Sequence, residues 1–242
     1  MLKFETDQFL PHLSIDCVVF GYEKGKLKVL LSKPNYLPRF WSLPGGYILR
    51  SESIDQAASR ILKNRTGLDR IFLEQFRVFG QEGRIVSSEE KEAVKIGLAT
   101  LDPDRFDSGA IDWITGRFVC IGYYALVDIL QVQPKIGELE EALDWFGLEE
   151  IPDLTYDHRE IIQAGLHALR QNLDSKLIGF ELLPQTFTMK EVQVLYEAVY
   201  QRSFPMNNFQ KKMLDLQILE RLEKKFTGAS NKAPYLYRIR EQ

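Results

Sequence analysis

Cysteine is scarce in this chain of 242 residues, occurring only as Cys17 and Cys120. Each lies inside an apolar run that reads as a buried strand, which argues against a disulfide framework or a zinc cluster and for two reduced core thiols. The longest apolar stretch, Phe118 to Val127, falls well short of the roughly 20 residues a membrane-spanning helix needs. The opening residues, Met1 to Asp7, carry acids where a secretory leader would be basic and then apolar. These absences give the expectation of a cytoplasmic protein without membrane contact. Internal repeats and low-complexity tracts are missing as well, which argues against a solenoid or a biased, disordered chain.

What is present is ordinary globular material, 45% hydrophobic and 27% charged, long enough for one large domain or two of usual size. The net charge of -3 hides an asymmetry. Residues 176–242 hold 11 Lys and Arg against 7 Asp and Glu, a surplus of four, so residues 1–175 carry about -7. An acidic front is joined to a basic tail. Charge alone leaves chance variation open, and the tail's internal pattern decides.

Two strands are expected at Leu13–Gly21 and Lys26–Ser32, joined by a turn in which Gly25 is free to take positive φ. Pro34, Pro38 and Pro44 then interrupt regular structure before Gly45, Gly46 and Tyr47. From Ser53 to Arg65, apolar Ile54, Ala57, Ala58, Ile61 and Leu62 recur at helical spacing, with Ser53 or Ser51 as cap and Gly67 as terminator. An aromatic-rich extended segment follows at 69–79, and a long apolar strand at 116–130. The intervening stretch, 81–115, exceeds normal loop length and reads as an insertion with structure of its own. Helices are expected at 136–145 and 157–173. In the tail, Thr188 stands three residues before Glu191, a capping box opening a helix with Val192, Leu195, Tyr196 and Val199 on one face. A short turn leads to a second helix from about Met206 to Leu219, and then to a strand, loop and strand ending at Ile239. Helix, turn, helix and wing is the pattern of a small DNA-binding domain.

The spacing Gly46, five residues, Glu52, seven residues, Arg60, then Gly67 and Leu68 resembles the Nudix box. That motif belongs to hydrolases that cleave nucleoside diphosphates linked to another group. In the family, the helix carries three carboxylates that hold magnesium or manganese. Here the same positions are Ile61, Asn64 and Arg65. Their side chains converge within one turn, and a hard divalent cation needs several oxygen ligands, preferably anionic. Arg65 puts a cation where the ion should sit; Glu52 and Asp55 remain nearby. The expectation is therefore no metal, no cofactor and no hydrolase activity. A glycine pair alone would be merely a tight turn, but the full frame outweighs that reading.

A Nudix domain without catalysis, followed by a basic winged helix, is similar to the Nudix-related transcriptional regulators of the NrtR and AraR type. Supporting segments include residues 13–21, 41–46, 122–127, 178–184, 195–200 and 233–237. The resemblance implies an α+β chain: a Nudix-type α/β/α sandwich with a mixed sheet over 1–174, then a small winged helix-turn-helix over 175–242. It also implies a homodimer on double-stranded, palindromic operator DNA, whose affinity a small ligand in the Nudix pocket alters. Members sense ADP-ribose-like nucleotides or free sugars such as arabinose. This chain's opening and closing segments are similar to the sugar-sensing branch.

Asn207, Asn208 and Gln210 suit base edges, because an amide pairs bidentately with adenine, and Lys211 and Lys212 suit phosphates. A solvated helix face is the plain alternative. Lys224, Lys225 and Lys232 on the wing favour DNA, and Thr188 joins them as the residue opening the first helix of the pair. Effector candidates are Asp16 on the first strand, Lys33 and Arg39 flanking the loop, Gly45 and Gly46 through their backbones, and Arg117 before the later strand. Taken singly, Lys33 and Arg39 are ordinary surface charges, and Asp16 could bond a turn. Two other classes compete: a weakly active Nudix hydrolase with a helical appendage, and a scaffold using its winged helix for protein contacts. The missing glutamates count against the first, and the basic recognition helix and wing against the second.

Overall fold

The computed structural model describes residues 3–68, 71–82, 84, 87–225 and 233–240. The chain divides into two compact units, Met1–Gly21 with Lys28–Ala168 and Tyr22–Leu27 with Leu169–Gln242. Among the described residues no helix is long and apolar enough to cross a membrane.

The first unit is built on β1 (Phe9–Glu23), β2 (Lys26–Pro34), β3 (Gly45–Leu49), α1 (Ile54–Thr66), β4 (Leu73–Phe79), α2 (Ser88–Leu101), α3 (Ser108–Ile114), β5 (Val119–Asp128), β6 (Glu140–Gly147) and α4 (His158–Asn172). The strands form one six-stranded sheet in the order β4-β5-β1-β2-β6, with β3 paired to β1. Lys24 at φ 48° and Gly25 at φ 80° make the two-residue turn between β1 and β2, which needs positive φ at both places.

Strand alternation explains how helices cover both sheet faces. Ile15, Cys17 and Val19 of β1 and Ile121, Tyr123 and Ala125 of β5 pack with Ala57, Ala58, Ile61 and Leu62 of α1 in one buried core. Val18, on the other face, lies under α4, where a Cβ on Gly165 would come within 3.1 Å of it. This is the expected sandwich. The local signals of α1 are all used: Ser53 caps it in a reciprocal box with Gln56, and Gly67 closes it at φ 71°. The 81–115 insertion supplies α2 and α3, whose Val94, Leu98 and Ile111 make a second small core with Leu37 and Phe106.

One expected element is wrong. The helix read at 136–145 is absent; Glu140–Gly147 is strand β6, paired antiparallel along β2 from Lys28↔Gly147 to Pro34↔Glu140. The acid-rich run suits a helix locally, but pairing with the open side of β2 satisfies a whole row of backbone groups and overrides that preference.

In the second unit, β7 (Phe187–Thr188), α5 (Met189–Tyr200), α6 (Met206–Asp215), β8 (Leu219–Lys224) and β9 (Tyr235–Ile239) follow in order. The strands pair as β7-β9-β8. Phe187, Val192, Leu195, Tyr196, Val199, Phe209, Met213 and Tyr237 are buried in its core. Helix α6 stops at Asp215, before the expected Leu219, because Leu219 opens β8 against Ile239.

Candidate functional site

A cavity of about 340 Å³ opens within the first unit. Asp16 reaches it from β1, opposite Gly45 of β3, and is only 7% exposed. Arg84, from the insertion, is its cation: Nη2 lies 3.5 Å from Asp16 Oδ2, while Nε donates to Asp157 Oδ2 at 2.8 Å and Nη1 to the Phe118 carbonyl at 3.1 Å. Cys120 donates its thiol hydrogen to Asp16 Oδ2 at 2.8 Å, and burial pushes that thiol well above its ordinary range. His158 Nδ1 accepts from the Leu43 amide at 2.9 Å, which leaves Nε2 to carry the proton, 3.6 Å from Asp16 Oδ2. Burial holds His158 below the usual imidazole value, and Asp16 opposes that only in part. The imidazole is therefore neutral, and the carboxylates and guanidinium balance one another.

Across the cavity, Arg65 Nε pairs with Glu140 Oε1 at 3.0 Å, and Glu140 Oε2 accepts from the Gly137 amide at 2.7 Å. Ile61 is 3% exposed and faces Gly46, whose added Cβ would lie 3.2 Å from it, while Asn64 is exposed. Glu52 is committed elsewhere: Arg60 Nε donates to it at 2.9 Å, and so does the Leu49 amide. Those bonds hold its carboxyl below the usual range. Asp55 accepts from the Tyr123 hydroxyl at 2.6 Å. Among the described residues no group of three or more His, Cys, Asp or Glu converges as metal ligands. This donor set does not fit the divalent ion that the Nudix resemblance implies.

Of the expected effector residues, Asp16, Gly45 and Gly46 line the cavity. Lys33, Arg39 and Arg117 do not. Ser32 and Pro34 point in, so Lys33 between them points away and pairs with Glu141 at 3.3 Å. Gly116 and Phe118 likewise line the cavity, and Arg117 turns outward to donate to the Gly80 carbonyl at 2.8 Å. Arg39 is exposed beside Phe40, its guanidinium 5.2 Å from the ring centroid. Arg84, Glu140, Asp157 and His158 were missed. A polar run immediately before a helix, Thr155 to His158, was the one available signal.

On the second unit, Asn207, Asn208 and Lys211 are exposed on α6 and lie within one turn of each other. Gln210 is half-buried. Lys212 is engaged: Nζ sits 2.6 Å from Asp174 Oδ2 and 5.3 Å from the Tyr196 ring centroid. Thr188 is 6% exposed and its hydroxyl accepts from the Glu191 amide, so it holds the start of α5 and does not face outward. Lys224 stands over Tyr235 at 5.4 Å, joined there by Arg221 at 4.6 Å, which was not anticipated. Lys225 pairs with Glu191 at 3.5 Å. Lys232 lies outside the described residues.

Comparison with known proteins adds to this geometry. Residues 10–165 match the NUDIX domain, and residues 179–239 match the NrtR DNA-binding winged helix domain. The chain is 25% identical over 241 residues, 97% of its length and 84% of the other, to the "ADPR responsive transcriptional repressor NtrR" of Acinetobacter baylyi. It is 22% identical over 153 residues, 63% of its length and 72% of the other, to an "ADP-ribose pyrophosphatase" of Methanocaldococcus jannaschii. The crystal structure of Shewanella oneidensis NrtR complexed with a 27mer DNA has the same fold, with a TM-score of 0.65 and 24% identity over 94% of this chain and 93% of that one.

Proposed function

Because the chain belongs to the Nudix family and closes in a segment matching the NrtR winged helix, we propose that it is a ligand-responsive transcriptional regulator without hydrolase activity. The observation that carries this reading is the ion pair of Arg65 with Glu140. It puts a neutralised guanidinium at one of the positions where the family needs a free carboxylate. With Ile61 and Asn64 at the other two, nothing there offers the charge that would hold a metal and activate water. The remaining cavity can hold a guest, and its volume of about 340 Å³ is at the low end for small-molecule sites.

The second unit acts on double-stranded operator DNA, with Asn207 and Asn208 at base edges and Lys211 and Lys224 at phosphates. The regulator works in the cytoplasm as a homodimer, whose two winged helices match a palindromic site. The Acinetobacter relative makes ADP-ribose the first effector to test. A free pentose such as arabinose is the second, and a specific observation favours it: both arginines of the cavity already face carboxylates, leaving no free cation for a pyrophosphate.

The test is selection of genomic fragments on the full-length protein, repeated with ADP-ribose and with pentoses. Enrichment of one palindromic sequence, altered by one of these ligands, supports the regulator. Magnesium-dependent turnover of ADP-ribose that is lost in Glu52→Gln supports the hydrolase alternative and overturns it.

A further inference from the structure

Three tyrosines from separate segments meet at the cavity: Tyr36 after β2, Tyr47 in β3 and Tyr156 before α4. None of their hydroxyls makes a hydrogen bond among the described residues. Thr155 Oγ1, on a residue only 2% exposed that also lines the cavity, is likewise without a partner. Native folds rarely leave buried hydroxyls unpaired, because the desolvation is not recovered. Four such groups on one wall are the complement of a ligand that carries hydroxyls itself.

Tyr156 adds a second, independent sign. Its φ is +52°, in the left-handed region that a bulky side chain rarely occupies. Backbone strain of this kind persists where a binding site holds it in place. One face of the ring stacks on the buried His158, with centroids 5.7 Å apart and planes at 27°, while 41% of the residue remains exposed. Every charged side chain lining the cavity already has an opposite charge beside it: Arg84 with Asp16 and Asp157, Arg65 with Glu140. The group bound here is therefore uncharged.

We propose that Tyr36, Tyr47, Tyr156 and Thr155 are the recognition set for a pentose ring, pairing with its hydroxyls while the Tyr156 ring lies against its C–H face. The proposal rests on reading the cavity as the effector site and goes on to name what binds and which side chains bind it. Burial pushes the Tyr36 phenol up to about 12 and raises Tyr47 and Tyr156 further, each reinforced by its neighbours. All three stay protonated and can donate as well as accept. The ring has two possible sources, a free pentose or the terminal ribose of ADP-ribose.

Titration calorimetry on the full chain with L-arabinose, D-ribose and ADP-ribose separates them. Tyr36→Phe, Tyr47→Phe and Tyr156→Phe each keep the ring and remove the hydroxyl. Each is expected to weaken binding about tenfold with an unchanged Tm. Tyr156→Gly, which tolerates the same φ, is expected to match or exceed the wild-type Tm while losing more affinity than Tyr156→Phe. Free-pentose binding with these losses identifies a sugar as the source; binding of ADP-ribose alone with the same losses identifies the nucleotide's terminal ribose. Wild-type affinity in all three phenylalanine variants overturns the tyrosine set while the effector site stands. Absence of binding by all three ligands overturns the pentose class and the effectors named above together.

Discussion

Arg65 on α1 and Glu140 at the start of β6 form an ion pair whose side chains are 22% and 10% exposed. The pair joins the helix that would have carried metal ligands to the last strand of the sheet. Removing one partner leaves the other charge poorly solvated, which costs more than the pair contributes. Glu140→Ala is expected to destabilise the chain by about 1–3 kcal/mol, and the double variant Arg65→Met with Glu140→Ala by less than the sum. Urea denaturation of the two single variants and the double gives the coupling. Additivity would show that the two charges stand independently.

His158 sets the expected pH dependence. Its folded-state pKa is lowered by burial, so below the ordinary imidazole value the unfolded chain takes up a proton that the folded chain refuses. Its contribution to stability is complete above about pH 6.5 and declines as pH falls from there toward the lowered value. Glu52 acts in the same direction at lower pH: its depressed pKa gives stability that is present above the ordinary carboxylate range and lost below it. Thermal melts between pH 5 and 8 are expected to show a falling Tm on the acid side, and His158→Gln is expected to flatten the upper part of that fall. A wild-type slope in His158→Gln would assign it to other groups.

Local chemistry was legible in the sequence and distant chemistry was not. Ser53, Gly67 and the Thr188 and Glu191 box announce their helix ends because each acts within four residues. The metal frame could be judged because its three positions share one turn of α1. Arg84 could not be found, since its carboxylate partners Asp16 and Asp157 lie 68 and 73 residues away in sequence. Lys33 and Arg117 failed for a different reason: inward and outward alternate along extended chain, and the flanking residues took the inward positions. The misread strand β6 belongs with these, because its conformation is set by β2 and not by its own acids.

Gly45 and Gly46 separate a backbone requirement from a packing one. A Cβ on Gly45 would collide with Asp16 Oδ1 and stand 2.8 Å from the Ile15 carbonyl, neither of which can yield without disturbing β1 or the Arg84 pair. A Cβ on Gly46 would meet only the Ile61 side chain at 3.2 Å, which can shift. Gly45→Ala is expected to cost about 1–3 kcal/mol and Gly46→Ala under about 1 kcal/mol. Denaturation midpoints check the ranking, and effector affinity should fall with Gly45→Ala first. Equal costs would mean that Asp16 is free to move aside.

Lys211 and Lys212 are neighbours on α6 with different expected roles in DNA binding. Lys211 is exposed and has no ion-pair partner among the described residues. Lys212 is held by Asp174, which also accepts from the Tyr196 hydroxyl at 2.8 Å. A phosphate contact releases counterions, so removing one lowers the slope of log affinity against log salt by about 1. Lys211→Ala is expected to lower the slope by that amount with an unchanged Tm. Lys212→Ala is expected to leave the slope nearly as it was and to lower Tm, because it leaves the Asp174 carboxylate unpaired beside Tyr196. Fluorescence anisotropy with a selected duplex between 50 and 300 mM salt, roughly the range over which such slopes are read, decides between them. A slope change confined to Lys212→Ala would place its ammonium on the DNA and break the assignment of Asp174 as its resting partner.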